Sequence, residues 1–398
     1  MNILYVSRAC PNELYKQLSH KPSQAATKFN YLVAKGFAKN GHFVKCCYVD
    51  KFDKHIRKNT TSFRTYQDSQ HSNLSFMVRN YNNVGGLSPF KGLFQTIKLY
   101  WNSMNEKDSV LVCDYLCYIQ SMLALIVAKL KGRKTVCICT DLPQDVAGNQ
   151  SSLLGRIKQS IFSFVGNFVL NRFRYYVLLT KQMNEKLSKH AAKRPFVVIE
   201  GLVDSDMSSV ENNLQDKDKK RILIYAGSLH KIYGIKELTE GFLQANIGNV
   251  ELHIYGSGDF NNELEEICKT TDQIKYFGVV SNEEIIQKQL KATLLVNPRP
   301  TNEEYTKYSF PSKNMEYMVS GTPVLTTKLP GMPNDYLEYV YTIDNESSFG
   351  IAEILKQLLL KDECEVHAKG IRAKEYVLNE KNEVQQSKKI IALINERG

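Results

Sequence analysis

No run of apolar residues in this chain approaches the roughly 20 that a helix needs to cross a bilayer. The longest, Met122–Ala128, is a third of that length. Met1–Arg8 holds only four consecutive apolar residues before Ser7 and Arg8, too few for the apolar region of a secretory signal. The nine cysteines, at Cys10, Cys46, Cys47, Cys113, Cys117, Cys137, Cys139, Cys268 and Cys364, are odd in number and form no Cys-x2-Cys pair. That pattern excludes a disulfide framework and a structural zinc site. Most of them lie in apolar runs such as Thr135–Thr140, where a thiol behaves as a small hydrophobe. The expected setting is therefore reducing and cytoplasmic, with peripheral attachment at the inner face of the cell membrane as the variant to test.

What is present is an ordinary globular composition, 43% apolar and 23% charged, over 398 residues. Domains of about 100 to 200 residues then predict two of them. Charge is unevenly spread: residues 1–200 carry a net +18 and residues 201–398 a net −7. The first half is expected to meet an anionic partner, either a membrane face or a phosphorylated acceptor. Nucleic acid fits the charge as well, but neither a basic groove-binding helix nor aromatic platforms of the RNP type accompany it.

Short runs of Val, Ile, Leu and Tyr alternate with stretches of helical period, the pattern of βαβ units building parallel sheets. In the first half the strands are expected near Asn2–Ser7, Phe43–Val49, Leu74–Arg79, Ser109–Cys113, Lys134–Thr140 and Tyr175–Leu179. Phe29, Leu32, Val33, Gly36 and Phe37 mark the apolar face of a helix that ends at Asn40-Gly41. The second half repeats the plan, with strands near Ile222–Ala226, Val250–Tyr255, Ile274–Phe277, Thr293–Val296 and Pro323–Thr326. Asp204–Lys220, polar and without apolar period, reads as a linker or exposed loop. The fold class is α/β, with an N-terminal domain at 1–200, a C-terminal domain at 201–380, and a helix at 381–398 expected to pack back on the first domain.

In open α/β sheets ligands bind beyond the carboxyl ends of the strands, so the loops after strands carry the functional reading. Gly227 ends one strand and Gly234 opens the next helix, which lets backbone amides approach an anion. Gly256 and Gly258 follow a second strand; in both loops the glycines would equally serve a plain βα turn. After a third strand comes Asn297-Pro-Arg-Pro, then Tyr308-Ser-Phe-Pro-Ser-Lys-Asn-Met-Glu. Here Pro311 suits a helix start, Ser312 is expected to cap it, and Lys313 adds charge to an end suited to a pyrophosphate. Glu316, about a turn further on, can accept two hydrogen bonds from a ribose diol.

In order and spacing, "YAGSLHKIYGIKEL", "IYGSGDF", "FGVVSNEEI", "NPRP" and "SFPSKNMEYMVSGTPVL" resemble the donor-binding domain of the family 4 glycosyltransferases of bacterial surface-polysaccharide synthesis. "NGHFV", "CTDLP" and "IEGLVD" extend a looser likeness into the first half. The resemblance implies the GT-B fold, two Rossmann-like domains with parallel sheets facing across an inter-domain cleft. It also implies a retaining, metal-independent, front-face transfer of a hexose-type sugar from a nucleotide-diphosphate donor, a UDP-sugar, to a glycan or lipid-linked acceptor, without a cofactor. The donor residues it implies are Gly227, Ser228, Gly256, Gly258, Val280, Tyr308, Ser309, Phe310, Pro311, Ser312 and Glu316. Glu316 matches the second acid of the Glu-x7-Glu pattern, which usually holds the ribose, and Tyr308 stands in place of the first. Ser228 and Tyr233 stand where the family often has Arg and Lys. Lys231, Arg299 and Lys313 are the cations expected to compensate by stabilising the leaving diphosphate.

On the acceptor side, Asp141 after its strand can orient a hydroxyl or serve more simply as a helix-cap or loop aspartate, and Arg8 is a candidate phosphate contact. Leu153–Arg174 mixes Arg156, Lys158, Arg172 and Arg174 with Ile161, Phe162, Phe164, Val165 and Phe168, a basic amphipathic pattern suited to an anionic leaflet. Four rivals stay open: an Asp204-Ser-Asp206 manganese site, a nucleotide-sugar epimerase of the same fold, a basic binding protein, and a non-catalytic scaffold.

Overall fold

A computed structural model describes residues 1–17, 24–51, 63–81, 88–141 and 164–396. The chain divides into two compact units, Met1–Leu202 with Glu383–Gly398, and Val203–Asn382.

The first unit is built on eight strands: β1 Asn2–Val6, β2 Phe43–Lys51, β3 Arg64–Gln67, β4 Leu74–Tyr81, β5 Val110–Asp114, β6 Lys134–Cys139, β7 Tyr175–Leu178 and β8 Phe196–Val198. They lie in the order β3-β4-β2-β1-β5-β6-β7-β8, all parallel except β3, which runs antiparallel on β4. The central strands are apolar throughout because both faces are covered. Ile3, Tyr5, Val112, Val136 and Ile138 join Leu32, Val33 and Phe37 of helix Gln24–Lys39 and Ile390 and Ile394 of helix Glu383–Asn395 in one core. The alternate residues Leu4, Val6, Leu111, Cys113 and Cys137 are equally buried on the opposite face. Helices Ser88–Ser103 and Tyr118–Leu130 lie side by side and touch β1.

The second unit holds β9 Arg221–Ala226, β10 Val250–Tyr255, β11 Ile274–Tyr276, β12 Leu294–Asn297, β13 Val324–Thr327 and β14 Tyr341–Ile343. Their order is β11-β10-β9-β12-β13-β14, entirely parallel. Of the two readings of residues 204–220, linker or exposed loop, the second holds: the segment belongs to this unit and Asn212 is its one buried residue. It forms 3-10 turns at Ser205–Ser209 and Leu214–Asp216 within this unit. Asn212 between them is buried, its Nδ2 donating to the Ser320 carbonyl at 2.7 Å and to Thr322 Oγ1 at 2.9 Å. Side-chain-to-backbone bonds hold this strap, so no apolar period marks it. Asp204, one half of the Asp-x-Asp pair, accepts from the Asp206 amide at 3.0 Å and so caps the first turn.

All nine cysteines are free thiols, and only Cys364 is exposed. Burial pushes the Cys10 and Cys47 thiols up to about 12.

The C-terminal helix is fixed to the first unit by a buried Glu383 that takes the Lys39 ammonium at 2.8 Å, and by Gln386 Nε2 donating to the Gly201 carbonyl at 2.8 Å. Gly36 makes the closeness of the two helices feasible, since a methyl there would meet the Glu383 carbonyl and Ser387 Oγ. Gly36→Ala is expected to destabilise the protein by about 1–3 kcal/mol. An unchanged thermal unfolding midpoint would mean that the helix pair yields without cost.

Candidate active site

From β9 the chain winds outward to β10 and β11, then returns to the other side of β9 at β12, so the switch point of the second unit lies between the carboxyl ends of β9 and β12. The loop after β9, the loop after β12 and the start of helix Ser312–Ser320 are brought together there.

Backbone contact shapes the first loop. The Gly227 amide donates to the Tyr255 carbonyl and the Leu229 amide to the Ser257 carbonyl, both at 2.9 Å, while the Gly256 amide reaches the Gly278 carbonyl at 2.7 Å. Gly227 and Gly256 have φ of 149° and 131°. A methyl on Gly256 would strike the Gly227 carbonyl, and one on Gly258 would strike the backbone of Leu229. These glycines let two loops share one layer. Val280 is half-buried against the core and precedes Ser281, whose Oγ caps helix Asn282–Lys291.

The helix Ser312–Ser320 is pinned at its start by polar bridges. Tyr317 Oη accepts from the Ala226 amide at 2.8 Å and donates to the Ala226 carbonyl at 3.2 Å. Asn314, fully buried, accepts from Asn297 Nδ2 at 2.8 Å and donates to Thr326 Oγ1 at 3.4 Å. Ser312 does not cap this helix: it is the first helical residue, and Pro311 holds the cap position with no side-chain hydrogen bond. Proline offers no side-chain acceptor, so the first-turn amides keep their partial positive charge unopposed by a cap. Phe310 is buried against Tyr336, and the Ser309 hydroxyl is buried without a hydrogen-bond partner among the described residues. Tyr308 ends the short turn Glu304–Lys307, and Glu316 is partly exposed one turn into the helix.

Two cations stand beside this helix start. Lys313 Nζ donates to Tyr225 Oη at 2.7 Å and lies 4.1 Å from the Tyr225 ring centre, in space that a side chain on Gly227 would occupy. Tyr225 in turn donates to the Ser228 carbonyl at 2.6 Å. Arg299 is sandwiched between the rings of Tyr233 at 4.7 Å and Tyr305 at 5.0 Å. Neither cation has an ion-pair partner among the described residues. Burial first, and the Arg299 guanidinium second, push the Lys313 ammonium down to about 7, against a smaller opposing pull from Glu316. Lys231 is arranged differently: it is exposed and ion-paired with Glu263 at 2.5 Å.

A cavity of about 200 Å³ lies at the opposite, amino-terminal edge of this sheet, lined by Arg221, Thr293, Lys217 and His367. Lys217 there is committed to the Leu290 carbonyl and Thr322 Oγ1.

Asp141 and Arg8 belong to the first unit. Asp141, exposed after β6, accepts from Thr140 Oγ1 at 3.2 Å. Asp114 at the end of β5 went unread in the sequence, although its place after a strand marks it. Its carboxylate is fully buried, accepting from Asn30 Nδ2 and the Leu116 amide, both at 3.0 Å. Burial raises it to about 6 against the pull of those bonds and of Arg8. Of the basic amphipathic segment, residues 153–163, with Arg156, Lys158, Ile161 and Phe162, lie outside the described residues.

Two open, mainly parallel α/β sheets of this kind define the GT-B fold. Residues 207–376 match the family described as "Glycosyl transferases group 1". No curated protein matches the sequence. Solved structures resemble it over its length at low identity. Sucrose-phosphate synthase from Thermosynechococcus elongatus is 13% identical over 98% of this chain and 97% of that one, with a TM-score of 0.67. Anabaena HepE in complex with UDP is 14% identical over 100% of both chains, with a TM-score of 0.65. The α,α-trehalose 6-phosphate synthase of Burkholderia multivorans is 8% identical over 98% and 97%, with a TM-score of 0.63.

Tyr317→Phe removes both bridges to Ala226, and is expected to cost about 1–3 kcal/mol. Urea denaturation measures it, and an unaltered midpoint would leave the helix start anchored by Asn314 alone.

Proposed function

We propose that the protein is a retaining glycosyltransferase that moves a hexose-type sugar from a UDP-sugar to a glycan or lipid-linked glycan acceptor. The observation that carries this reading is the pairing of Lys313 and Arg299, two cations without an ion-pair partner among the described residues, beside an uncapped helix start. Like charges so placed repel, and a diphosphate between them removes the penalty. The amides of Ser312 and Lys313 complete the cradle, Glu316 takes the ribose diol, and Tyr308 and Ser309 face the sugar side.

As the bond between the anomeric carbon and the phosphate oxygen breaks, negative charge grows on the departing diphosphate. Fixed cations and amides aimed at it lower the barrier. The acceptor hydroxyl attacks from the same face, its proton passes to the leaving phosphate oxygen, and configuration is kept. Neither a protein nucleophile nor a metal takes part. Asp141 and Arg8 serve the acceptor, with Asp141 orienting the hydroxyl. Lys231, tied to Glu263, contributes only field.

The acceptor side works at an anionic membrane surface on the cytoplasmic face. Helix Tyr118–Leu130 is apolar nearly all round, yet Ile119, Ile126 and Leu130 are exposed, as are Phe94 and Trp101 on the neighbouring helix and Phe164 and Phe168. Lys131 covers the Trp101 ring at 4.4 Å and Arg172 the Phe168 ring at 3.4 Å. Residues 88–103, 118–134 and 164–174 contain no Asp or Glu. Glu106 and Asp108 are exposed in the adjoining loop, so the cations outnumber the acids around this apolar patch rather than excluding them, a balance that still suits an anionic leaflet.

Among UDP, GDP and ADP, UDP is expected to raise the thermal midpoint, and Glu316→Ala to abolish the shift, because a ligand bound only by the folded state stabilises it. If no nucleotide shifts the midpoint, the donor site is not where it is placed here. Sedimentation with phosphatidylglycerol vesicles tests the membrane face. Ile126→Ser with Leu130→Ser is expected to reduce binding at least severalfold without changing UDP binding, and equal sedimentation of both proteins would refute it.

A further inference from the structure

The surroundings of Lys313 differ from those of an ordinary phosphate-binding lysine. Among the described residues its ammonium has one hydrogen-bond partner, Tyr225 Oη, and that phenol spends its own proton on the Ser228 carbonyl. Two of the three N–H groups of a charged lysine would therefore have no protein acceptor. The other groups that face it are Arg299, arriving from the loop after β12, and Glu316, one turn along its own helix. The rings of Tyr233 and Tyr305 hold Arg299 by cation–π contact, so moving the guanidinium away to relieve the repulsion would give up both contacts. Arginine keeps its charge at any ordinary pH, which leaves the lysine as the group that yields.

We propose that Lys313 is only partly charged in the empty site at neutral pH, and largely uncharged above it, and becomes a full ammonium ion when a diphosphate arrives, so that donor binding takes up a proton. The proton comes from solvent and adds to the Nζ lone pair. The resulting N–H groups then turn to the phosphate oxygens, giving charge-assisted bonds that the empty site cannot form. This rests on the donor-site reading above and adds a pH dependence to it. The free amine titrates at about 7. Bound diphosphate raises that value, since an adjacent anion favours the charged form. Between the two values, affinity falls as pH rises, because each binding event must then draw a proton from an increasingly dilute supply.

Calorimetric titration with UDP at pH 8, in two buffers of different ionisation enthalpy, measures the proton directly. The terminal phosphate loses its last proton near roughly pH 6 and supplies none at this pH. Wild-type protein is expected to take up most of one proton per UDP, with affinity weakening by up to tenfold per pH unit between pH 7 and 9. Lys313→Met is expected to bind more weakly with no uptake and a flat profile. Lys313→Arg, if it fits beside Gly227, keeps a permanent charge and likewise shows no uptake. Tight UDP binding by the wild type without a buffer-dependent heat, or uptake that persists in Lys313→Met, overturns the inference and leaves the donor site standing. If UDP, GDP and ADP all fail to bind, the donor-site reading falls and this inference with it.

Discussion

Backbone meeting backbone at Gly227 and Gly256 is the constraint on which the rest of the second unit depends. Without side chains at these positions the loops after β9 and β10 form one hydrogen-bonded layer, from the Gly227 amide at the Tyr255 carbonyl to the Leu229 amide at the Ser257 carbonyl. That layer leaves open the space into which Lys313 extends. Tyr317 then ties the helix start to the end of β9, and Asn314 ties it to β12 and β13. The cations owe their positions to three strands acting together, and preorganisation of this kind is what electrostatic stabilisation of a leaving group requires.

The two units solve different problems with the same architecture. In the first, a sheet buried on both faces ends in a hidden carboxylate, Asp114, satisfied by Asn30 and a backbone amide. In the second, the corresponding edge ends in cations that have no ion-pair partner among the described residues. An enclosed network with its bonds made favours rigidity, whereas an unbalanced one favours a ligand. Lys217, buried yet committed to a carbonyl and a hydroxyl, shows that enclosure of a lysine is not sufficient to make a site.

Central strands were legible because burial on both faces writes near-continuous apolar runs, as in Leu111-Val-Cys and Leu223-Ile-Tyr. Of the four edge strands only β11 was legible: β3, β8 and β14 are three or four residues long and largely partly exposed or exposed, so composition barely distinguishes them from loops. Within the site, Gly227, Arg299 and Lys313 could be found from their place after strands. Tyr225, Tyr305 and Tyr317 could not, because each lies in a different segment and their convergence follows from the register of β9 against β12. The Ser312 cap failed for a local reason, since the proline ahead of it occupies the cap position. The linker alternative for 204–220 fell for a long-range one, since this exposed strap is anchored at the distant end of helix Ser312–Ser320.

The distribution of thiols gives the molecule an unplanned convenience. Eight of nine sulfurs are enclosed or half-enclosed, and burial keeps several in the unreactive protonated form. Cys364, at the start of helix Glu363–Glu380, is the exception. A maleimide dye or spin label added under mild conditions would therefore settle mainly at one address in the second unit. The native chain thus carries its own reporter position, remote in sequence from Lys313 and Arg299, with no cysteine to remove first.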